Sequence, residues 1–203
     1  MDEIILIGAG GHARACIDVI EIEGRYHIAG LVEKDDSCSR NQLGYTVIGT
    51  DDDLLELRKK YENALITVGQ IKSASVRVKL FKLLSEFGYN LPVIVSPRAH
   101  VSPNSIVSSG TIVMHDVIIN SNAEIGKNCI INNKALVEHD AVIGDHCHIA
   151  TGAIINGNVA IGCESFIGSG AITKESITIG INCVVGAGVV LKTNIAANQL
   201  IKN

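Results

Sequence analysis

The chain has 203 residues, 47% of them hydrophobic but only 3% aromatic and none tryptophan, so its core must be built from small and branched aliphatic side chains. A net charge of −4 excludes the basic footprint expected of a protein whose main partner is nucleic acid or an anionic membrane. No apolar run reaches the roughly 18 residues of a membrane span, and the start MDEIILIGAGG lacks a positive n-region. These features point to a soluble cytoplasmic protein of one large or two small domains.

Residues 1–95 alternate between two patterns. IILIGAG reads as a buried strand and HARACIDVIEIEG as an amphipathic helix. YHIAGLVEK gives a second strand, DDLLELRKKYE a helix, ALITVG a third strand and VRVKLFKLLSEFG a third helix. This βαβ grammar predicts a small parallel sheet, a Rossmann-like domain over residues 1–95. The first turn, Gly8-x-Gly10-x-x-Ala13, lies between strand and helix with Glu33 about twenty residues on, which fits a dinucleotide fingerprint. A dehydrogenase would need a second mononucleotide half, and the alternation stops too soon for one.

From Val101 the period becomes six. Every sixth residue through Leu191 is a branched aliphatic except Thr173, and the residue four later is small except Ile177. This is the hexapeptide repeat of a parallel β-helix over residues 96–203, three repeats to each triangular coil, with about five coils. It resembles the left-handed kind found in a large superfamily of acyltransferases. The aliphatic residue fills the prism and the small one lets the wall approach it. Cys129, Cys147 and Cys183 fall at the small inward position and read as core fillers. Cys163 falls at a turn, Cys16 on the first helix, and no CxxC pair accompanies Cys38 or any other.

In this register the block EHDAVIGDHCH (138–148) spreads its side chains widely. His139 and Asp140 occupy one corner, Asp145 and His146 the next, and His148 points out from the following flat face. That face is opposite the corner of His139, so one metal cannot bind both histidines of a single chain. Across a subunit boundary a corner can meet a neighbour's face. Gly157 then stands one coil above His139, and Asn132 shares the face of His148 one coil below. A neutral imidazole can take a proton from an attacking hydroxyl or amine, and Asp140 would fix its tautomer. The Gly157 N–H could steady an oxyanion. Solvated polar corners explain the same residues equally well at this level.

The opening IGAGGH, the segment SPRAHVSP and the block from Asn132 to Gly157 resemble one bacterial family of sugar acetyltransferases over nearly the whole chain. It includes sialic-acid O-acetyltransferases and UDP-4-amino-sugar N-acetyltransferases. The ligand spacing of a three-histidine zinc site shared between subunits is absent, so no metal is expected; the resemblance implies acetyl-CoA as co-substrate and a homotrimer with the thioester between neighbouring β-helices. It implies His139 as general base and Asp140 as its partner, with His148, Asn132, Gly157, Ser169 and Ala187 on the acetyl-CoA side. Gly8, Gly10, Gly11, His12, Glu33, Lys34 and Gly69 would receive the sugar or its nucleotide. The implied reaction is acetylation of a nucleotide-linked 4-amino sugar in surface-glycan biosynthesis. A sialic-acid O-acetyltransferase is the alternative, and a β-helix used only for assembly is a more distant one.

Two departures stand out. Glu33-Lys34 replaces the Asp-Asp pair usual in the nucleotide-sugar enzymes, and NIAANQLIKN stands where relatives run into a Gly-x-Pro-Ala-Lys segment that helps enclose coenzyme A. His27, His100, His115, His146 and Lys134 receive structural readings. The run Asp51-Asp52-Asp53 after Thr50 reads as a helix cap.

Overall fold

The computed structural model describes residues 1–34 and 43–202, and Cys38 lies outside the described residues. The N-terminal part is a four-stranded parallel sheet of β1 (Asp2–Ile7), β2 (Tyr26–Glu33), β3 (Val47–Thr50) and β4 (Asn63–Ile66), in the order β3-β2-β1-β4. Helix α1 (Gly11–Glu23) buries Ala13, Cys16, Ile17, Val19 and Ile20 and stops at Gly24, whose left-handed φ of 73° turns the chain into β2. Helix α3 (Ser75–Glu86) buries Leu80 and Leu84.

Two elements differ from the sequence expectation. β3 is an edge strand that the reading did not include. The helix expected over DDLLELRKKYE is a 3-10 turn (Asp51–Asp53) followed by only one α-helical turn, α2 (Leu54–Leu57). Beyond it, Lys59 N–H bonds Glu56 and Lys60 N–H bonds Leu57, the tighter pattern that lets Tyr61 turn into the core.

From Ile94 the chain winds into a parallel β-helix with three faces. The first face has seven two-residue strands, from Ile94–Val95 to Leu200–Ile201. The second has six, beginning at His100–Val101, and the third five, beginning at Ile106–Val107. The second residue of each strand points in. The corners turn through left-handed residues such as Asn122, Asp140 and Asn158, with φ of 58°, 60° and 59°. At one corner the coils come so close that a Cβ on Gly126, Gly144 or Gly162 would lie 2.5–2.6 Å from a backbone nitrogen of the next coil. Cys129, Cys147 and Cys183 are fully buried inside the same wall, where the first two thiols donate to Gly144 and Gly162 carbonyls at 3.2 Å.

The N-terminal part lies against the lower first face. Outward-pointing Ile94, Ile112 and Ile130 are completely buried there. Arg77 of α3, fully buried, donates to the carbonyls of Ile66 and Val68 and to the side-chain and backbone oxygens of Asn128, at 2.6–3.0 Å. A second tie runs from Asp18 on α1 through His115 to Ser96, both contacts 2.7 Å. The two terminal guanidinium nitrogens of Arg77 are thus bonded on both sides of the junction, while its buried Nε has no partner among the described residues.

Candidate active site

The corner between the second and third faces carries His139 and Asp140, opposite the first face. The His139 Nδ1 and Asp140 Oδ2 atoms are 2.8 Å apart. Asn122, one coil below in the same column, donates to the other carboxylate oxygen at 3.3 Å. The hydrogen bond to Asp140, with the carboxylate's charge, raises the His139 pKa above its ordinary value, and the hydrogen bonds from His139 and Asn122 lower that of Asp140. With Nδ1 occupied, Nε2 is the free face of the ring. Gly157 stands directly over it: a Cβ there would lie 2.8 Å from both His139 Cε1 and Nε2. The Gly157 N–H donates to no acceptor among the described residues.

His148 lies on the first face, as the hexapeptide register requires, but not in the open. Only 8% of it is exposed, because the segment after β4 covers it. Its Nδ1 is 2.7 Å from the Gln70 carbonyl, which fixes the N–H there, and Nε2 is 3.1 Å from the amide of Asn132. Burial, reinforced by the Arg77 charge and opposed by the Gln70 bond, pushes the pKa down to about 4. The ring is therefore neutral at pH 7. Phe166, one coil above, meets it edge-on at 5.1 Å between centroids. Higher on this face a groove of about 740 Å³ is floored by Phe166, Val184 and Leu200, walled by Ser169 and Ala187, and rimmed by Lys72.

The glycine-rich turn lines a separate cavity at the carboxyl ends of β1, β2 and β4, where Gly8, Gly10, Gly11, His12, Glu33 and Gly69 come together. Lys34 lines the neighbouring slot with Glu33. His12 is turned inward, its Nε2 3.4 Å from the Cys16 sulfur, and burial pushes its pKa down to about 3. Its ring centroid is 6.5 Å from that of His148, so the turn and the first face meet through two neutral imidazoles.

The structure thus gathers the expected residues into three places, with Asn132, His148, Ser169 and Ala187 on the first face and His139, Asp140 and Gly157 on the opposite corner. Sequence reasoning missed Gln70 and Phe166. Phe166 had a signal, being the sole aromatic residue between 96 and 203; Gln70 acts through a main-chain carbonyl and had none. Among the described residues no group of three or more His, Cys, Asp or Glu side chains could hold a metal ion, and no helix is long and apolar enough to cross a membrane.

A coil of hexapeptides with an acid–base pair at a corner and an apolar groove on a face defines an acyltransferase of the β-helix class. Residues 3–84 match the family profile described as PglD N-terminal domain. Residues 122–157 match bacterial transferase hexapeptide (six repeats), and residues 158–192 the hexapeptide repeat of succinyl-transferase. Among solved structures, a mutant perosamine N-acetyltransferase from Caulobacter crescentus, in complex with CoA and GDP-perosamine, is 31% identical. The match covers 98% of this chain and 93% of that one, with a TM-score of 0.92. The acetyltransferase domain of PglB from Neisseria gonorrhoeae FA1090, in complex with acetyl coenzyme A, is 30% identical over 98% and 94% of the two chains, TM-score 0.89. WeeI from Acinetobacter baumannii AYE is 25% identical over 100% and 98%, TM-score 0.85. A search of curated proteins gave no match. The chain belongs to the hexapeptide-repeat sugar acetyltransferases, a left-handed β-helix family whose acetyl donor is acetyl-CoA.

Proposed function

We propose that the protein transfers acetyl from acetyl-CoA to the amino group of a nucleotide-linked 4-amino sugar, with His139 as general base. The observation that carries this is the corner itself: Asp140 holds Nδ1 of His139, and Nε2 lies against Gly157 with its unpartnered N–H. Nε2 would take the proton as the amine attacks the thioester carbonyl. The Gly157 N–H would receive the oxyanion, and the imidazolium would return the proton to the departing thiolate. In this reading the first-face groove takes coenzyme A, with His148 and Asn132 at its lower end, and Ser169 and Ala187 along its wall. The domain of residues 1–95 takes the nucleotide sugar, and residues 96–203 form the acyltransferase domain. The two neighbours bound to CoA and GDP-perosamine or to acetyl coenzyme A support the pairing of ligands.

Base and groove lie on opposite sides of one prism, so a complete site requires a second chain, and we propose a homotrimer. An outward apolar stripe supports it. Ile118, Leu136, Ile154, Ile172 and Val190 stack on successive rungs of the second face, and Ile118 and Val190 remain 43% and 55% exposed.

The test is thiol release from acetyl-CoA with a panel of 4-amino nucleotide sugars, neutral sugars and sialic acid. Turnover on the amino sugars supports the reading. Turnover on sialic acid alone overturns it in favour of O-acetylation, and absence of coenzyme A binding leaves only an assembly module. A monomer at micromolar concentration in sedimentation would sink the shared site.

A further inference from the structure

Beside the glycine-rich turn, on the side away from His12, lies a slot of about 200 Å³. Val32, Val68, Val76 and Leu80 form its aliphatic walls, and Glu33 and Asp51 supply carboxylates. It shares Gly8, Glu33 and Val68 with the turn cavity, so one elongated ligand can lie across both. Val76 is 55% exposed at its side, an apolar surface left for a ligand to cover.

The two carboxylates are placed differently. Glu33 is engaged: one oxygen accepts the Ala9 N–H and the other the Lys34 N–H, both at 3.0 Å. It stands at the end of β2, where an acidic side chain in this topology faces ribose hydroxyls. The acidic run after Thr50 does form a cap, but Asp53 alone makes it, accepting the Thr50 N–H at 2.8 Å and the Thr50 hydroxyl at 2.9 Å. Asp51 accepts no hydrogen bond among the described residues. Its carboxyl is half-buried, and this desolvation holds its pKa above the usual carboxylate range, with the Lys79 charge opposing. A carboxylate lining an aliphatic slot without a donor is an acceptor awaiting one.

We infer that this slot receives the nucleobase and that Asp51 selects bases carrying an amino group, guanine first, against uracil. This rests on the nucleotide-sugar reading above and names its substrate class. Guanine presents N1–H and the N2 amino group side by side, two donors that match the two oxygens of one carboxylate. Cytosine offers its N4 amino group alone. Uracil has a single N3–H between two carbonyls, and each carbonyl would face a carboxylate oxygen.

The experiment is calorimetric titration of the full chain with GDP, CDP and UDP, with acetyl-CoA titrated into the same preparations. GDP should bind at least tenfold more tightly than UDP, with CDP between them, since a charge-assisted hydrogen bond contributes about ten- to a hundredfold. Asp51→Asn replaces two acceptors by one acceptor and one donor, the complement of uracil. It should weaken GDP about tenfold or more and strengthen UDP, a reversal that a purely structural role for Asp51 would not produce. Equal or tighter UDP binding by the unaltered protein, or the same loss for all three nucleotides in the variant, overturns the base assignment alone. If acetyl-CoA binds but none of the nucleotides does, the nucleotide-sugar reading fails and takes this inference with it.

Discussion

His139 and His148 are nine positions apart in one repeat block, yet the fold gives them opposite environments. The corner leaves His139 open to solvent beside a carboxylate, which raises its pKa; the first face buries His148 beneath Gln70 and near the Arg77 charge, which lowers it to about 4. One imidazole is shifted toward its protonated form, while the other stays neutral. The same residue type thus acquires two environments from the period of the coil and from what lies against each face, and under the proposed function these become two roles.

The comparison breaks most sharply when the corner histidine is removed. His139→Ala should lower kcat by roughly 10²–10⁴-fold, with acetyl-CoA affinity nearly unchanged, because a lost general base costs about that much. His148→Ala should instead weaken acetyl-CoA binding. Mixed after verified subunit exchange, the two variants should regain activity in about a quarter of the grooves of a randomly assembled trimer. Gly157→Ala comes next. Its methyl group would enter the space of His139 Cε1 and Nε2, so kcat should fall roughly 10- to 100-fold, as a displaced catalytic group costs. Circular dichroism should show the coil intact.

Asp140→Asn should have a smaller and more diagnostic effect. In the unaltered enzyme the raised His139 pKa puts the acid limb of the kcat profile above the ordinary histidine value, because the protonated ring cannot act as base. Without the carboxylate the limb should move to lower pH. A rate that falls with no shift of the limb would mean that Asp140 orients the ring without tuning it.

The smallest effect concerns stability. His12 and His148 titrate near 3 and 4 when folded, below the unfolded value of about 6.5, so between those limits the unfolded chain binds more protons. Stability should be fully present above about pH 6.5 and decline as pH falls toward 4, read as a lower midpoint in thermal melts. His148→Gln should flatten that decline.

Much of this was legible in the sequence because the coil repeats its instructions. A period of six placed His139, Asp140, Gly157 and His148 on the right corner and face from side-chain size alone. The N-terminal elements were visible where apolar periodicity was strong, as in β1, α1 and α3. β3 was not, since a short edge strand buries little and carries a weak pattern. The helix after Thr50 was overextended because Leu54, Leu55 and Leu57 suggest a period that the 3-10 turn and the tightened backbone cut short. The cover over His148 was illegible for a different reason. It comes from the Gln70 backbone and from Arg77, whose partners are mostly main-chain oxygens, and no residue type announces a main-chain contact.

The buried thiol column has a practical consequence at the bench. Cys129 and Cys147 face the prism interior and hold their protons far into alkaline pH, and Cys16 and Cys183 are likewise enclosed. Of the described cysteines only Cys163 is not buried. With an aromatic disulfide added to follow coenzyme A release, the four buried thiols would stay silent while the coil holds, and their sudden reaction would report the coil coming apart.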